Sequence, residues 1–374
     1  MTMWIIILWS ILAYWAASML YLGFRVPQLF NFEALANLST AKRTLFGLFA
    51  TFGLVGIITI CLDFINAIVC ITYLAMIWAL SDFTFYLIEK FFHITFSHYY
   101  TGWTALIVCI ASLGIGWYLN HHVWQTNYDL TTAKEVKNLK VAMFADSHLG
   151  TTFDDKGFAK HLKTIEAQNP DLVVIAGDYV DDGTSKKQMV NATRALGKMK
   201  TKYGIYFVSG NHDKGYYGAA HRGFSEQNLL DELKKNGIVV LQDESVLIDN
   251  AFYIIGRKDY SVQKEQGGHR KSMEELTADL DKSKYVIVLD HQPVEFDKDA
   301  KAEVDLVLCG HTHGGQLFPF NQVGKWIKAN DLIYGHEKRN KTNFVVTSGI
   351  SDWAIKFKTG TKSEFVIINV RKEQ

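Results

Sequence analysis

The sequence predicts an α/β domain preceded by a helical membrane region, and three observations carry that prediction. Charge is divided unevenly: residues 1–120 hold only eight of the chain's 39 basic and 38 acidic side chains. After residue 139, short β-branched runs recur, and each is followed at once by Asp, Asn or His. Helical stretches separate the first three of these runs, which implies parallel strands with helices covering the sheet.

The membrane third comes first. Trp4 to Phe24 is an uncharged apolar run of spanning length, with no basic segment before it and no small-residue cleavage site, so it reads as an uncleaved span. Further uncharged runs cover Thr44 to Leu62, Phe64 to Ser81 and Thr101 to Leu119. Residues 1–120 are therefore expected to form a membrane domain of about four transmembrane helices. Arg25, Lys42 and Arg43 in the first connection, and Lys90 in the third, place those two in the cytoplasm by the positive-inside rule. The expectation is a multi-pass protein with its C-terminal domain extracytoplasmic; Lys134, Lys137 and Lys140 weigh against it. Asp63 and Asp82 are too few ionisable groups for a transport pathway. Residues 121–138 read as a linker, with His121 and His122 simply polar, and residues 139–374 as the soluble domain.

In that domain, Lys140 to Ala145 leads into Asp146-Ser147-His148, and Leu172 to Ala176 into Gly177-Asp178. Ile205 to Ser209 leads into Gly210-Asn211-His212-Asp213, Tyr285 to Asp290 into His291, and Val304 to Cys309 into Gly310-His311-Thr312-His313. Helices are expected around Phe158 to Gln168 and Lys187 to Met199, and another from Ser225, as its cap, to Asn236 before Gly237. In parallel sheets ligands gather at the carboxyl ends of strands, so five strand ends can converge. His311 and His313, one residue apart on an extended chain, are expected to face one pocket. Asp146, His148, Asp178, Asn211, His291, His311 and His313 offer oxygen and imidazole nitrogen without thiolate. That set suits manganese, iron or zinc. Seven ligands exceed one tetrahedral centre, so two divalent metal ions sharing a carboxylate are expected, about 3.5–4 Å apart.

These five blocks, in this order and spacing, resemble the calcineurin-like metallophosphoesterases over roughly residues 139 to 370. The resemblance implies a four-layer sandwich of two mixed β-sheets flanked by helices. It implies one metal on Asp146, His148, Asp178 and His313, and the other on Asp178, Asn211, His291 and His311, with Asp178 bridging. His212 would touch the phosphate and stabilise or protonate the leaving oxygen, and Asp213 would support its loop. The spans and Gly314-Gly315-Gln316 resemble bacterial membrane-anchored members. Wider relatives cleave the diphosphate of UDP-diacylglucosamine, so the expected partner is a phosphorylated, lipid-linked substrate at the membrane.

A net charge of +1 gives no electrostatic case for nucleic acid. Cys309 is the lone cysteine of the soluble part and reads as packing, so no disulfide forms there. Arg257, Lys258, His269, Arg270 and Lys271 read as a solvated basic loop, with a phosphate or head-group contact as the alternative, and Leu317, Phe318, Phe320, Trp326 and Ile327 as core, with a patch dipping into the bilayer beside the site as the alternative. The alternative function is a non-catalytic membrane protein whose metal domain binds or senses; the presence of His212 argues against it.

Overall fold

The computed structural model describes residues 2–30, 35, 37–264 and 267–373; Glu33, counted above, lies outside them. The chain divides into two compact units, Met1–Gly116 and Trp117–Gln374.

The first unit is helical: α1 (Thr2–Arg25), α2 (Thr40–Cys61), α3 (Phe64–Phe92) and α4 (Tyr100–His121), the last running past the unit boundary. Among the described residues, α2, α3 and α4 are long and apolar enough to cross a membrane. Their outward faces suit lipid: Phe49, Ile57 and Ile60 on α2 are 79%, 62% and 87% exposed. The two acidic groups that sequence singled out are both paired. Asp63 caps α3, accepting from Asn66 N at 2.8 Å. Asp82 meets Arg25 at 2.7 Å and accepts from the hydroxyls of Tyr21 and Tyr99.

The second unit has four layers. Its first sheet has the order β1 (Val123–Thr132), β12 (Ser363–Lys372), β2 (Leu139–Phe144), β3 (Leu172–Ala176), β4 (Ile205–Val208), β5 (Val239–Val240). The second runs β10 (Gly335–Arg339), β11 (Thr342–Val346), β9 (Leu306–Cys309), β8 (Tyr285–Leu289), β7 (Phe252–Gly256), β6 (Glu244–Ile248). Both are mixed: β2, β3, β4 and β5 run parallel, as do β7, β8, β9 and β11, while β12 is antiparallel to β2 and β10 to β11.

Strand alternation assigns the layers. Val141 and Met143 on β2, with Leu172 and Val174 on β3, face Ile254, Ile287, Leu289 and Leu308 of the other sheet. Their neighbours Ala142, Phe144, Val173 and Ile175 turn outward under α5 (Asp155–Glu166), α6 (Lys186–Leu196) and α7 (Glu226–Lys235). Each helix is started by a side-chain cap, Asp154 for α5, and α7 is also stopped by a glycine. Ser185 and Ser225 form capping boxes with Gln188 and Asn228, and Gly237 follows α7 at φ 82°. The opposite outer face carries Met273, Leu276, Phe296 and Ala300 from short helices, with Cys309 buried among them.

The stretch read as a linker contains β1, which pairs in parallel with β12 over ten residues. Its exposed and covered residues alternate, as an edge strand's should. His121 stacks on Trp117 and His122 on Tyr118.

Candidate metal centre

All seven donor residues follow the carboxyl ends of β2, β3, β4, β8 and β9, and their side chains meet at one place. The loops that deliver them are tight. A Cβ on Gly177 would lie 2.4 Å from His291 Nδ1, and one on Gly210 would lie 2.2 Å from Asp178 Oδ1, so only glycine lets these strand ends close. Asp146, His148, Asp178, His311 and His313 all adopt left-handed backbone, with φ from 32° to 73°. Such conformations cost about 1–3 kcal/mol each and persist where the surroundings enforce them. Around Asp178 the enforcement comes from Asp213, whose buried carboxylate accepts from the N–H groups of Asp178, Tyr179, Val180 and Gly210 at 2.8–3.0 Å.

The histidine pair reaches the site differently from the extended-chain expectation. The strand ends at Cys309, and the chain then turns: Thr312 N donates to the Gly310 carbonyl and His313 opens a 3-10 turn. Thr312 does point away, donating to the Ile333 carbonyl at 2.6 Å. The two imidazoles thus serve opposite halves of the centre.

On one side, Asp146, His148 and His313 converge. His148 Nε2 lies 3.2 Å from His313 Nε2 and 3.6 Å from Asp178 Oδ2. On the other, His291 Nε2 lies 3.1 Å from Asp178 Oδ2 and 3.2 Å from Asn211 Oδ1, which is 2.9 Å from His311 Nδ1. Asp178 Oδ2 therefore touches both halves.

Hydrogen bonding shows why these donors fit cations. The Ala176 carbonyl, which can only accept, takes a bond from His291 Nδ1 at 2.7 Å. That fixes a ring proton on Nδ1 and aims Nε2 at two oxygens. Asp181 likewise accepts from His148 Nδ1 at 3.1 Å, turning Nε2 toward His313. Imidazole nitrogens and carboxylate or amide oxygens converging at these distances suit positive charge among them, carried by ring protons or by bound cations.

The titration of the same groups agrees. Burial alone would raise the Asp178 carboxyl, but His291, with His148 and His212, holds it well below the usual carboxylate range. Burial lowers the His291 imidazole, yet Asp178 and Asp146 raise it well above its ordinary value, so this spot attracts positive charge strongly. Burial, with His291 alongside, pushes His311 down to about 4, and burial with His148 holds His313 well below its ordinary value. Both are therefore neutral ligands at physiological pH.

His212 adjoins the centre. Its N–H donates to Asp178 Oδ1 at 2.8 Å, and its Nδ1 donates to Asp181 Oδ1 at 3.0 Å. Asp181 thus anchors His148 with one oxygen and His212 with the other, a role that sequence reasoning missed. Its place, three residues beyond Asp178 in the same loop, carries no pattern that singles it out. Gln316, named above only for its resemblance, has a structural part as well. Its amide donates to both oxygens of Asp352 at 2.6 Å and to the Ile355 carbonyl at 2.7 Å, holding the segment behind His313.

Two expectations are corrected. Arg257 and Arg270 are not solvated: both are buried and pair with Asp290 and Glu295. Phe318, Phe320, Trp326 and Ile327 are exposed rather than core.

Residues 139–315 match the family model described as calcineurin-like phosphoesterase. An uncharacterised metallophosphoesterase of Campylobacter jejuni is 32% identical over 237 residues, 63% of this chain and 60% of its own length. One from Bacillus subtilis is 30% identical, covering 61% of this chain and 82% of the relative. A transmembrane protein with metallophosphoesterase domain from Danio rerio is 28% identical across 64% of this chain and 54% of its length. This chain thus spans less than two thirds of several of the relatives it matches.

Proposed function

This chain belongs to the calcineurin-like phosphoesterase family, and from that premise we propose that it is a membrane-anchored, dinuclear-metal hydrolase of phosphoester or phosphoanhydride bonds. The observation that carries the reading is the pair of donor sets meeting at Asp178, with His212 hydrogen-bonded beside them.

In this reading Asp146, His148, Asp178 and His313 hold one divalent ion, and Asp178, Asn211, His291 and His311 the other. The donor set suits manganese, iron or zinc. When bound, two such ions lower the pKa of a coordinated water and polarise the phosphoryl oxygens. The chain's own residues do the rest. Asp178 stays ionised and fixes both donor sets at a common edge. Asp181 holds the Nδ1 proton of His212, so Nε2 is the nitrogen that gives a proton to the departing oxygen. His148 is oriented by the same carboxylate, which couples the acid to one donor set.

The helices α2, α3 and α4 support a multi-pass anchor, and the Danio rerio relative is named a transmembrane protein. An anchored enzyme suits an amphiphilic substrate, a phospholipid or a nucleotide-linked lipid such as UDP-diacylglucosamine. The positive-inside balance favours an extracytoplasmic catalytic unit. A reporter fused after Gln374 is expected to be active only outside the cytoplasm; activity only inside would reject that topology.

The functional test uses the full-length protein in detergent. Chelation is expected to abolish hydrolysis of bis(p-nitrophenyl) phosphate, and manganese to restore it. Undiminished activity after exhaustive chelation would contradict the proposal.

A further inference from the structure

The second unit displays large apolar side chains on its surface a few residues after His313. Phe318 and Trp326 are 61% and 70% exposed, with Phe320 and Ile327 exposed beside them. The segment that carries them is firmly held. Phe318 N donates to Thr359 Oγ1 at 3.0 Å, Ala329 N to the Gly324 carbonyl at 2.9 Å, and Asp331 N to the Pro293 carbonyl at 2.8 Å. Gly315, in the turn that carries His313, packs so closely on Asn321 that a Cβ there would lie 2.0 Å from the Asn321 carbonyl oxygen. The fold thus fixes these rings in an outward position, which marks a surface that something else covers.

The path of the chain identifies the nearest such surface. The last turn of α4 belongs to this unit, and only His122 separates α4 from β1. On that turn the Asn120 carbonyl accepts from Ser363 Oγ at 2.7 Å. β1 and β12 start side by side, Val123 opposite Ser363. Because β12 runs antiparallel to β2, its start lies near the end of β2 that delivers Asp146. Glu364 N donates to the Gly349 carbonyl at 2.8 Å, and Gly349 packs on Asp146. The chain therefore leaves α4 at the metal-centre end of the sheet, and residues 359–363 tie Phe318 to that exit. α4 is long and apolar enough to cross a membrane. Trp117 and Tyr118 on its last turn are half exposed, as suits a membrane–water interface.

Charge agrees. Residues 317–330 contain Lys325 and Lys328 and no acidic residue, and residues 353–362 contain Lys356, Lys358 and Lys362 and again no acidic residue. Lys358 is buried and donates to the Ser348 and Ser351 carbonyls, whereas Lys325 and Lys328, on either side of Trp326 and Ile327, are exposed. Apolar rings flanked by ammonium groups fit an anionic phospholipid surface: the rings enter the boundary between headgroups and acyl chains, and the lysines stay among the phosphates.

We propose that residues 317–328 are an interfacial docking segment: Phe318, Phe320, Trp326 and Ile327 enter the anionic headgroup region of the bilayer that α4 spans, which sets the metal-centre end of the sheets against that surface. This rests on reading α4 as a membrane span and not on the hydrolase reaction. The test places nitroxide labels on the full-length protein, one chain per phosphatidylglycerol nanodisc, in a Cys61→Ser background that removes the exposed native thiol. Trp326→Cys labels the segment and Ile110→Cys the middle of α4. Asp249→Cys labels the turn between β6 and β7, at the far end of the strands. Power saturation then compares exposure to oxygen, which concentrates in lipid, with exposure to a water-soluble nickel chelate. The oxygen-to-nickel ratio at position 326 is expected to be about threefold or more above that at 249, and below that at 110. Lys325→Gln with Lys328→Gln is expected to lower it; an unchanged ratio would overturn an anionic surface as the partner. A ratio at 326 equal to that at 249, with 110 in lipid, would overturn the docking and leave the span intact. A label at 326 shielded from both reagents would mean contact with protein and would overturn it too. A ratio at 110 as low as that at 249 would remove the span, and the proposal with it.

Discussion

Asp178→Asn is expected to lower kcat/KM for bis(p-nitrophenyl) phosphate by on the order of 10³-fold, because bound divalent ions supply several kcal/mol of charge stabilisation and about 1.4 kcal/mol is tenfold in rate. The substitution is nearly isosteric, but it replaces an anionic oxygen with an amide group that can donate where only acceptors belong. Oδ2 of Asp178 lies 3.6 Å from His148 Nε2 and 3.1 Å from His291 Nε2, so both donor sets lose the same negative group. Oδ1 accepts from the His212 N–H, and its replacement would also disturb the loop carrying the general acid. The fold should survive, since Asp213 holds the surrounding backbone independently. Steady-state kinetics with circular dichroism as the folding control checks this. Activity within about twofold of wild type would remove Asp178 from its bridging position.

His212→Ala is expected to cost about 10²- to 10⁴-fold in kcat, the usual contribution of a positioned general acid, while leaving metal content intact. The leaving group discriminates this role from a structural one. A diester that expels p-nitrophenolate needs little protonation, whereas one that expels an alkoxide needs a full proton. The loss should therefore be at least tenfold greater for the alkyl diester. Asp181→Asn should reproduce part of that pattern. Burial alone would raise the Asp181 carboxyl, but its bonds to His148 and His212 hold it below the ordinary carboxylate range, so it stays ionised and pins both rings. Equal losses on both leaving groups would assign His212 to binding or folding instead of proton transfer.

How far the sequence could be read follows from which signals are local. The strands before Asp178 and His291 were legible because they are short, wholly apolar β-branched runs, and both are buried throughout. Capped helices such as α7 were legible because Ser225 and Gly237 bracket an amphipathic run. β1 was not: only one of its faces is covered, and its partner β12 lies some 240 residues further along. The backbone at His311 and His313 was misjudged because left-handed conformation is imposed by the tertiary cage, not by residue type. The basic loop was misjudged for a related reason. Arg257 and Arg270 look solvated until Asp290 and Glu295, far along the chain, supply their counter-charges. The donor residues were the most legible part of the site, since Asp, Asn and His placed after strand ends have few other reasons to recur. Asp181 was not legible, because one acidic residue in a loop carries no such pattern.

The claim on which the rest depends is that seven side chains hold two cations, and metal counting tests it most directly. Elemental analysis of the purified full-length chain, after equilibration with manganese and removal of free ion, is expected to give close to two bound ions per chain and clearly fewer in Asp178→Asn. A wild-type value near zero, or one unchanged by that substitution, would contradict the account.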